Sequence, residues 1–162
     1  SVETTFNDDI VSVEQVLPIL LEQCDVVATR MRRKEKKCTS VSVTFRTLDF
    51  RNKSHQTTLP NATDMTDEIY KNAKKLFIES WKGDPLRLIG VALTNLTDES
   101  FEQMSLFEDN EQKERHRKLD ATMDAIRQKF GNDKITRASI MNSNTGIARK
   151  ARAQMKNEDE KK

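Results

Sequence analysis

The sequence predicts an α+β domain of βαββαβ order, a split-βαβ arrangement in which a four-stranded sheet carries two helices on one face, followed by a C-terminal helix and a flexible tail. Three observations predict it. Residues 13–31 and 65–81 place apolar side chains at spacings of three and four, the mark of a helix with one buried stripe. Residues 40–46 alternate strictly between apolar and polar, the mark of a strand with one buried face. Leu86–Leu96 is apolar enough for a central strand, with Gly90 allowing close approach of a neighbour.

The elements follow in chain order. Val2–Phe6, rich in Thr and β-branched residues, reads as a short first strand. Ser12-Val13-Glu14-Gln15 is a capping box, Ser at the N-cap and Gln three residues on, and it opens the first helix. Its stripe is Val13, Val16, Leu17, Leu20, Leu21, Cys24, Val27 and Met31. Pro18 conflicts with this stripe, because it removes one helical hydrogen bond. The helix is expected to end in the basic run Arg30 to Lys37, which suits the negative end of the helix dipole. In the second strand Val41, Val43 and Phe45 point to the core and Ser42, Thr44 and Arg46 away from it. The parity changes at Leu48 and Phe50, suggesting a bulge or twist. Arg51-Asn52-Lys53-Ser54 reads as the hairpin connection, and His55–Leu59 as the return strand before Pro60. Asp64, with Asp67 and Glu68 in the first turn, opens a second helix with stripe Met65, Ile69, Ala73, Leu76, Phe77 and Trp81. Gly83-Asp84-Pro85 stops it.

After residue 97 the character changes. Lys and Arg total 28 against 26 Asp and Glu, a net charge of +2, but the charges are unevenly arranged. Residues 1–97 are nearly neutral, 98–112 hold six acids and no base, and 113–155 are strongly basic. Within the acidic stretch, Gln103-Met104-Ser105-Leu106-Phe107 is an apolar island too brief to build its own core. Leu119, Met123, Ile126 and Phe130 then recur at helical spacing from about Glu111 to Phe130, closed by Gly131. That face needs a partner: the body, another copy, or a further part of the protein. Lys134–Met141 suggests a short extended piece, and the polar stretch 142–162 is expected to be disordered. The division is therefore a domain at 1–97, a linker at 98–112, a helical region at 113–141 and a tail at 142–162.

Several function classes fall away. No apolar run approaches the roughly 18 residues of a membrane span, and no segment has the layout of a signal peptide. Two cysteines, Cys24 and Cys38, form neither a zinc pattern nor a disulfide framework, so a reducing cytoplasm is the default compartment. Asn61-Ala62-Thr63 and Asn95-Leu96-Thr97 match glycosylation acceptors by chance there. His55 reads as an ordinary strand residue.

The sheet face away from the helices is polar. Ser42, Thr44 and Arg46 stand on it, with Ser54, Gln56 and Thr58 beside them. Hydroxyls, amides and an occasional arginine, without exposed aromatics, suit phosphate oxygens better than stacked bases. The bland reading of Arg46, Arg51, Lys53 and Arg87 is solvated surface charge; beside this face they become candidate contacts to a nucleic-acid backbone.

Certain blocks resemble a known family. They are Thr5-Phe6-Asn7-Asp8-Asp9-Ile10, Thr47-Leu48-Asp49-Phe50, Ser54-His55-Gln56-Thr57-Thr58-Leu59 and, most strongly, Pro85-Leu86-Arg87-Leu88-Ile89-Gly90-Val91. Over residues 1–97 the chain resembles the little-finger domain of bacterial Y-family translesion DNA polymerases, in the DNA polymerase IV (DinB-like) or Gram-positive UmuC-like branch. The block from Asp124 to Gly131, followed by Ile135-Thr136-Arg137-Ala138, is similar to the C-terminal region of that branch. The resemblance implies a fold of the βαββαβ order read above, a domain that holds primer–template DNA by its backbone, and monomeric action with the remainder of the polymerase and no membrane. It also implies that Gln103, Met104, Ser105, Leu106 and Phe107 are a sliding-clamp-binding motif. Arg87 matches a position where the family places a basic residue on the template backbone. Leu88 and Ala92 depart from relatives with more arginine here, and Ser1-Val2-Glu3 lacks the glycine that usually leads this strand.

Nucleotidyl transfer in such enzymes needs carboxylates around Mg²⁺, carried by a palm expected before residue 1. Asp8, Asp9, Asp64, Asp67 and Glu68 do not match that cluster and read as capping and first-turn acids. The chain is thus expected to be a fragment that is inactive alone and has no cofactor of its own. The competing reading is a ferredoxin-like adaptor whose sheet face binds protein or RNA; an RNA binder of that fold would stack bases on aromatics.

Overall fold

A computed structural model describes residues 1–98, 110–132 and 134–141. The chain runs β1 (Val2–Ile10), α1 (Val13–Arg32), β2 (Lys37–Thr47), β3 (Asn52–Thr63), α2 (Thr66–Ser80), β4 (Leu86–Thr97) and α3 (Asn110–Phe130), and ends its described part in a 3₁₀ turn, Ala138–Ile140. The four strands form one antiparallel sheet in the order β1-β4-β2-β3. Helices α1 and α2 pack on one face of it, as the βαββαβ reading requires.

The buried layer is the one the alternation marked. Val41, Val43 and Phe45 of β2 are fully buried with Ile89 and Val91 of β4, facing Leu20, Cys24, Ile69 and Phe77 of the helices. Phe77 sets its ring edge-on to Phe45 with centroids 6.0 Å apart and stacks on Trp81 at 5.2 Å. Aromatic pairs in these geometries add about 1 kcal/mol beyond area burial. The Ser12 hydroxyl accepts the Gln15 N–H at 3.3 Å, and the Gln15 side chain reaches back to the Val11 N–H at 3.4 Å, so the capping box forms with its return bond one residue further upstream than Ser12.

Several boundaries differ from expectation. β1 runs on to Ile10, bulging between Thr5 and Ile10, so Asp8 and Asp9 are strand residues and cap nothing. α1 stops at Arg32, and a turn with Glu35 at φ 52° leads into β2 at Lys37. The hairpin connection is Leu48–Arg51 rather than residues 51–54: the Thr47 hydroxyl bonds the Asp49 carboxylate and Phe50 adopts φ 58°, which turns the chain three residues early. The parity change at Leu48 and Phe50 is this turn. β3 then continues through Pro60, tolerated because β3 is an edge strand whose outer N–H groups have no ladder partner. α2 is N-capped by Met65, not Asp64.

The larger difference concerns α1 and α3. Residues 22–29 of α1 are buried around the whole helix, including Glu22, Gln23, Asp25 and Thr29. One side packs on the sheet, where the Gln23 amide donates to the Ile89 carbonyl at 2.9 Å and the Thr4 hydroxyl at 3.0 Å. The other side is covered by α3 and the segment after it, through charge. Arg127 donates to Asp25 at 2.6 Å with both side chains almost wholly buried, Arg32 bonds Asp124 at 2.6 Å, and Arg137 bonds Asp120 at 2.5 Å. The expected apolar stripe of α3 is mostly outside the contact: Leu119 and Phe130 are exposed, and Met123 alone is buried between Asp120, Asp124 and Arg127. Gly131 closes the helix as read, at φ 106° with its N–H on the Arg127 carbonyl. The extended piece expected at 134–141 is partly replaced by the 3₁₀ turn, which buries Ile140.

Candidate nucleic-acid interface

Register fixes which side chains share the open sheet face. Antiparallel partners point the same way, so Ser42 stands beside Gln56 and Ala92, Thr44 beside Ser54 and Gly90, and Arg46 beside Asn52 and Leu88. Across β4, the rows extend to Glu3 opposite Gly90 and Thr5 opposite Leu88. Thr58 pairs with Ser40, which is buried beneath the Asn95 amide at 3.1 Å.

The polar groups on this face are linked. The Thr44 hydroxyl donates to Ser54 Oγ at 3.0 Å, Ser42 Oγ lies 3.4 Å from the same atom, and Arg46 Nε donates to Asn52 Oδ1 at 2.6 Å. The last bond holds the guanidinium over the sheet and leaves its two terminal NH₂ groups to other acceptors. As an edge strand, β3 adds backbone N–H groups without ladder partners. No aromatic side chain falls on the face among the described residues: Phe6 and Phe45 are buried, His55 stacks beside Phe45 at 6.1 Å on the helix side, and Phe50 sits in the turn. Such a surface offers donors to anionic oxygens and no platform for stacking a base.

Six of the nine predicted contacts, Ser42, Thr44, Arg46, Ser54, Gln56 and Thr58, are brought together here. The other three are not. Arg51 lies in the hairpin turn, paired with Asp49 at 3.0 Å. Lys53 is the partner of Phe45, so alternation turns it to the helix side, where it reaches Asp84 at 3.5 Å. Arg87 is the extra residue of a bulge opposite Arg46–Thr47 and pairs with Asp9 at 3.7 Å. A shallow groove of about 310 Å³ separates the turn from Asp84 and Pro85. The Thr47 hydroxyl and then Arg51 hold the Asp49 carboxyl below its ordinary value. Sequence reasoning missed Asn52, because the hairpin was placed three residues late. The clamp-motif residues Gln103, Met104, Ser105, Leu106 and Phe107 lie outside the described residues.

The profile of the impB/mucB/samB family C-terminal domain matches residues 1–106. The chain belongs to this family. Among curated relatives, this impB/mucB/samB C-terminal domain is 42% identical over 139 residues to DNA polymerase IV of Clostridium acetobutylicum, a match covering 86% of the chain and 35% of the relative. It is 36% identical over 147 residues to DNA polymerase IV of Alkaliphilus oremlandii, covering 85% of the chain and 37% of the relative. The chain therefore spans about a third of the length of the curated relatives it matches. A solved complex of a beta-clamp processivity factor and the little finger domain of PolIV superimposes with a TM-score of 0.50 at 20% identity, covering 66% of this chain and 96% of that one, and shows a shared fold.

No three His, Cys, Asp or Glu side chains converge to hold a metal ion among the described residues. The carboxylates do not fit a Mg²⁺ centre: Asp25, Asp120 and Asp124 are each bonded to arginine, and Asp67 and Glu68 face His116 at 3.9 Å and Lys113 at 3.5 Å. No helix in the described residues is long and apolar enough to cross a membrane.

Proposed function

We propose that this domain is the DNA-holding and clamp-recruiting module of a Y-family translesion DNA polymerase, working as a monomer in the cytoplasm with the Mg²⁺-dependent palm elsewhere in the parent enzyme. The observation that carries it is the open sheet face: linked hydroxyls, amides and one guanidinium, with no aromatic among the described residues. Ser42, Thr44, Arg46, Ser54, Gln56 and Thr58 grip phosphate oxygens of primer–template DNA, and no group there is set to read a base edge. Such binding tolerates any sequence, as an enzyme passing over damaged template requires, and it weakens steeply with salt because each neutralised phosphate releases counterions. Arg51, Lys53 and Arg87 contribute at the margin, after exchanging their carboxylate partners for phosphate.

The pentad Gln103–Phe107 recruits the domain to a sliding clamp. Leu106 and Phe107 serve as apolar anchors and the Gln103 amide sets their register. This is supported by the motif itself and by its place after the last strand; a little finger of the same fold occurs in a complex with a clamp. Held on a clamp, the domain keeps a high local concentration at DNA. The adaptor reading finds no support, since a sheet that binds RNA bases needs the aromatics this face lacks.

The test is a titration of the chain with labelled primer–template duplex at about 50 and about 200 mM salt, with and without clamp. Binding that is indifferent to sequence, falls with salt and strengthens with clamp is expected. Failure to bind both DNA and clamp rejects the proposal.

A further inference from the structure

On a face that offers donors to phosphate, one group has the opposite sign. Glu3 is exposed on β1, in the row that runs through Gly90 to Thr44 and Ser54. Gly90 does not merely admit a neighbouring backbone. A Cβ built there would lie 2.5 Å from Glu3 Cγ and 3.2 Å from the Val2 carbonyl, so the Glu3 methylenes cross the space a side chain would fill, on the same face as Thr44. No Lys or Arg side chain forms an ion pair with Glu3 among the described residues, and the one positive group that feels its charge is the Ser1 ammonium, whereas Asp9, Asp49 and Asp84 at the hairpin end of the sheet each have a Lys or Arg partner. The next row carries no charge on β1 or β4, only Thr5 and the buried Leu88, and reaches its first charge at Arg46 on β2.

We infer that Glu3 is a positioning residue that sets one boundary of the DNA track, repelling phosphates from the β1–β4 half of the sheet and confining the backbone to β2 and β3. This rests on the proposed use of the face. Like charges a few ångströms apart at a protein surface repel appreciably, and with only Arg46 to attract phosphate nearby, one carboxylate changes the sign of the potential over half the sheet. The backbone then follows the hydroxyl pair Thr44–Ser54 and the Arg46–Asn52 unit. DNA bound elsewhere on the face meets an anion that no Lys or Arg pairs among the described residues.

The test compares salt-dependent duplex affinity of the chain with that of Glu3→Gln, Glu3→Lys, Arg46→Ala and Glu79→Gln. Glu79 is exposed on α2, on the other side of the molecule from the open face, and controls for net charge. Glu3→Gln is expected to bind about three- to tenfold tighter, and Glu3→Lys tighter still with a salt slope steeper by about one, the signature of a gained phosphate contact. Arg46→Ala weakens binding, and Glu79→Gln leaves it within about twofold, as a screened, distant charge should. If Arg46→Ala weakens binding but neither Glu3 variant tightens it, or if Glu79→Gln tightens it as much, the boundary is wrong while the face remains the site. If Arg46→Ala changes nothing, the face itself is wrong and the boundary goes with it. Circular dichroism confirms that each variant keeps the fold.

Discussion

Asp120 of α3 caps α2: its Oδ2 accepts the Thr66 N–H at 2.9 Å, where an N-terminal cap from the local sequence would otherwise sit. Met65 occupies the cap position and has no side chain able to accept that bond. The same oxygen lies 3.3 Å from Arg32, which also donates to the Asp64 carbonyl at 2.8 Å, and the other oxygen takes Arg137. One carboxylate thus joins α1, α2, α3 and the segment after it. Burial by itself would lower the Arg32 pKa, but the bond to Asp124 and the charges of Asp120, Asp124 and Asp25 outweigh it and raise it.

Asp120→Ala is therefore expected to destabilise the domain by about 3–5 kcal/mol, the range for removing one partner of a buried ionic group. Asp120→Asn keeps an acceptor for Thr66 and loses less. Urea midpoints measure both. A loss below about 1 kcal/mol for the alanine variant would mean that α3 is not docked through this residue.

The Asp25–Arg127 pair makes a sharper case, because both side chains are 2–3% exposed and 2.6 Å apart. Arg127→Met takes away the hydrogen-bonded partner of a buried carboxylate, leaving it only Arg137 at 3.7 Å, and should cost about 3 kcal/mol, while Asp25→Leu with Arg127→Met removes both charges of the pair and recovers much of that loss. Additive single losses in a double-mutant cycle would contradict the pairing.

These contacts also explain what was and was not legible in the sequence. The βαββαβ order, the capping box at Ser12, the α2 stripe and the polar face of β2 follow from local period and short-range chemistry. The chain solves them with interactions a few residues long. The α3 docking does not follow, because periodicity assigns a helix to its neighbours by apolar spacing, and here the inward face is Asp120, Met123, Asp124 and Arg127 while Leu119 and Phe130 point out. The only signal was charge at the spacing 120, 124, 127 in a helix facing Asp25 and Arg32, a match visible only once the fold brings residues about a hundred positions apart into contact. The open sheet face divides the same way. Alternation placed Ser42, Thr44 and Arg46 correctly, but a hairpin turn set by one hydroxyl–carboxylate bond decided that Asn52 joins them and Lys53 does not.

The two thiols predict a pH response. Burial, then the nearby Asp25 and Cys38, raises the Cys24 thiol well above its ordinary value of 9.0, and burial pushes Cys38 up to about 12. Both groups bind protons more tightly folded than unfolded, so their contribution is fully present below pH 9.0 and is lost as pH rises from there toward the folded values. Urea midpoints should fall as pH rises from about 9 to about 10.5, and fall less in Cys24→Ala with Cys38→Ala. At neutral pH, native protein should resist thiol reagents until it unfolds. Rapid labelling of both cysteines in the native state would refute their burial.

The proposed clamp peptide can be tested apart from the fold. Leu106 and Phe107 are the adjacent apolar pair of the pentad proposed as anchors, whereas Gln103 offers an amide that orients them without adding much buried area. Truncating two anchors at once removes most of what such a short peptide contributes. Leu106→Ala with Phe107→Ala is expected to weaken clamp binding by at least about thirtyfold, and the urea midpoint should not move, because the hydrophobic core that packs the helices on the sheet is built from residues between Val2 and Val91. DNA affinity without clamp should also be unchanged, since the donors proposed to meet phosphate are on β2 and β3. Surface-plasmon measurements on immobilised clamp, with duplex anisotropy in parallel, test the two halves independently. Unchanged clamp affinity in the double variant rejects the pentad as the recruiting peptide, and a parallel loss of DNA binding would show that the variant has damaged the domain instead.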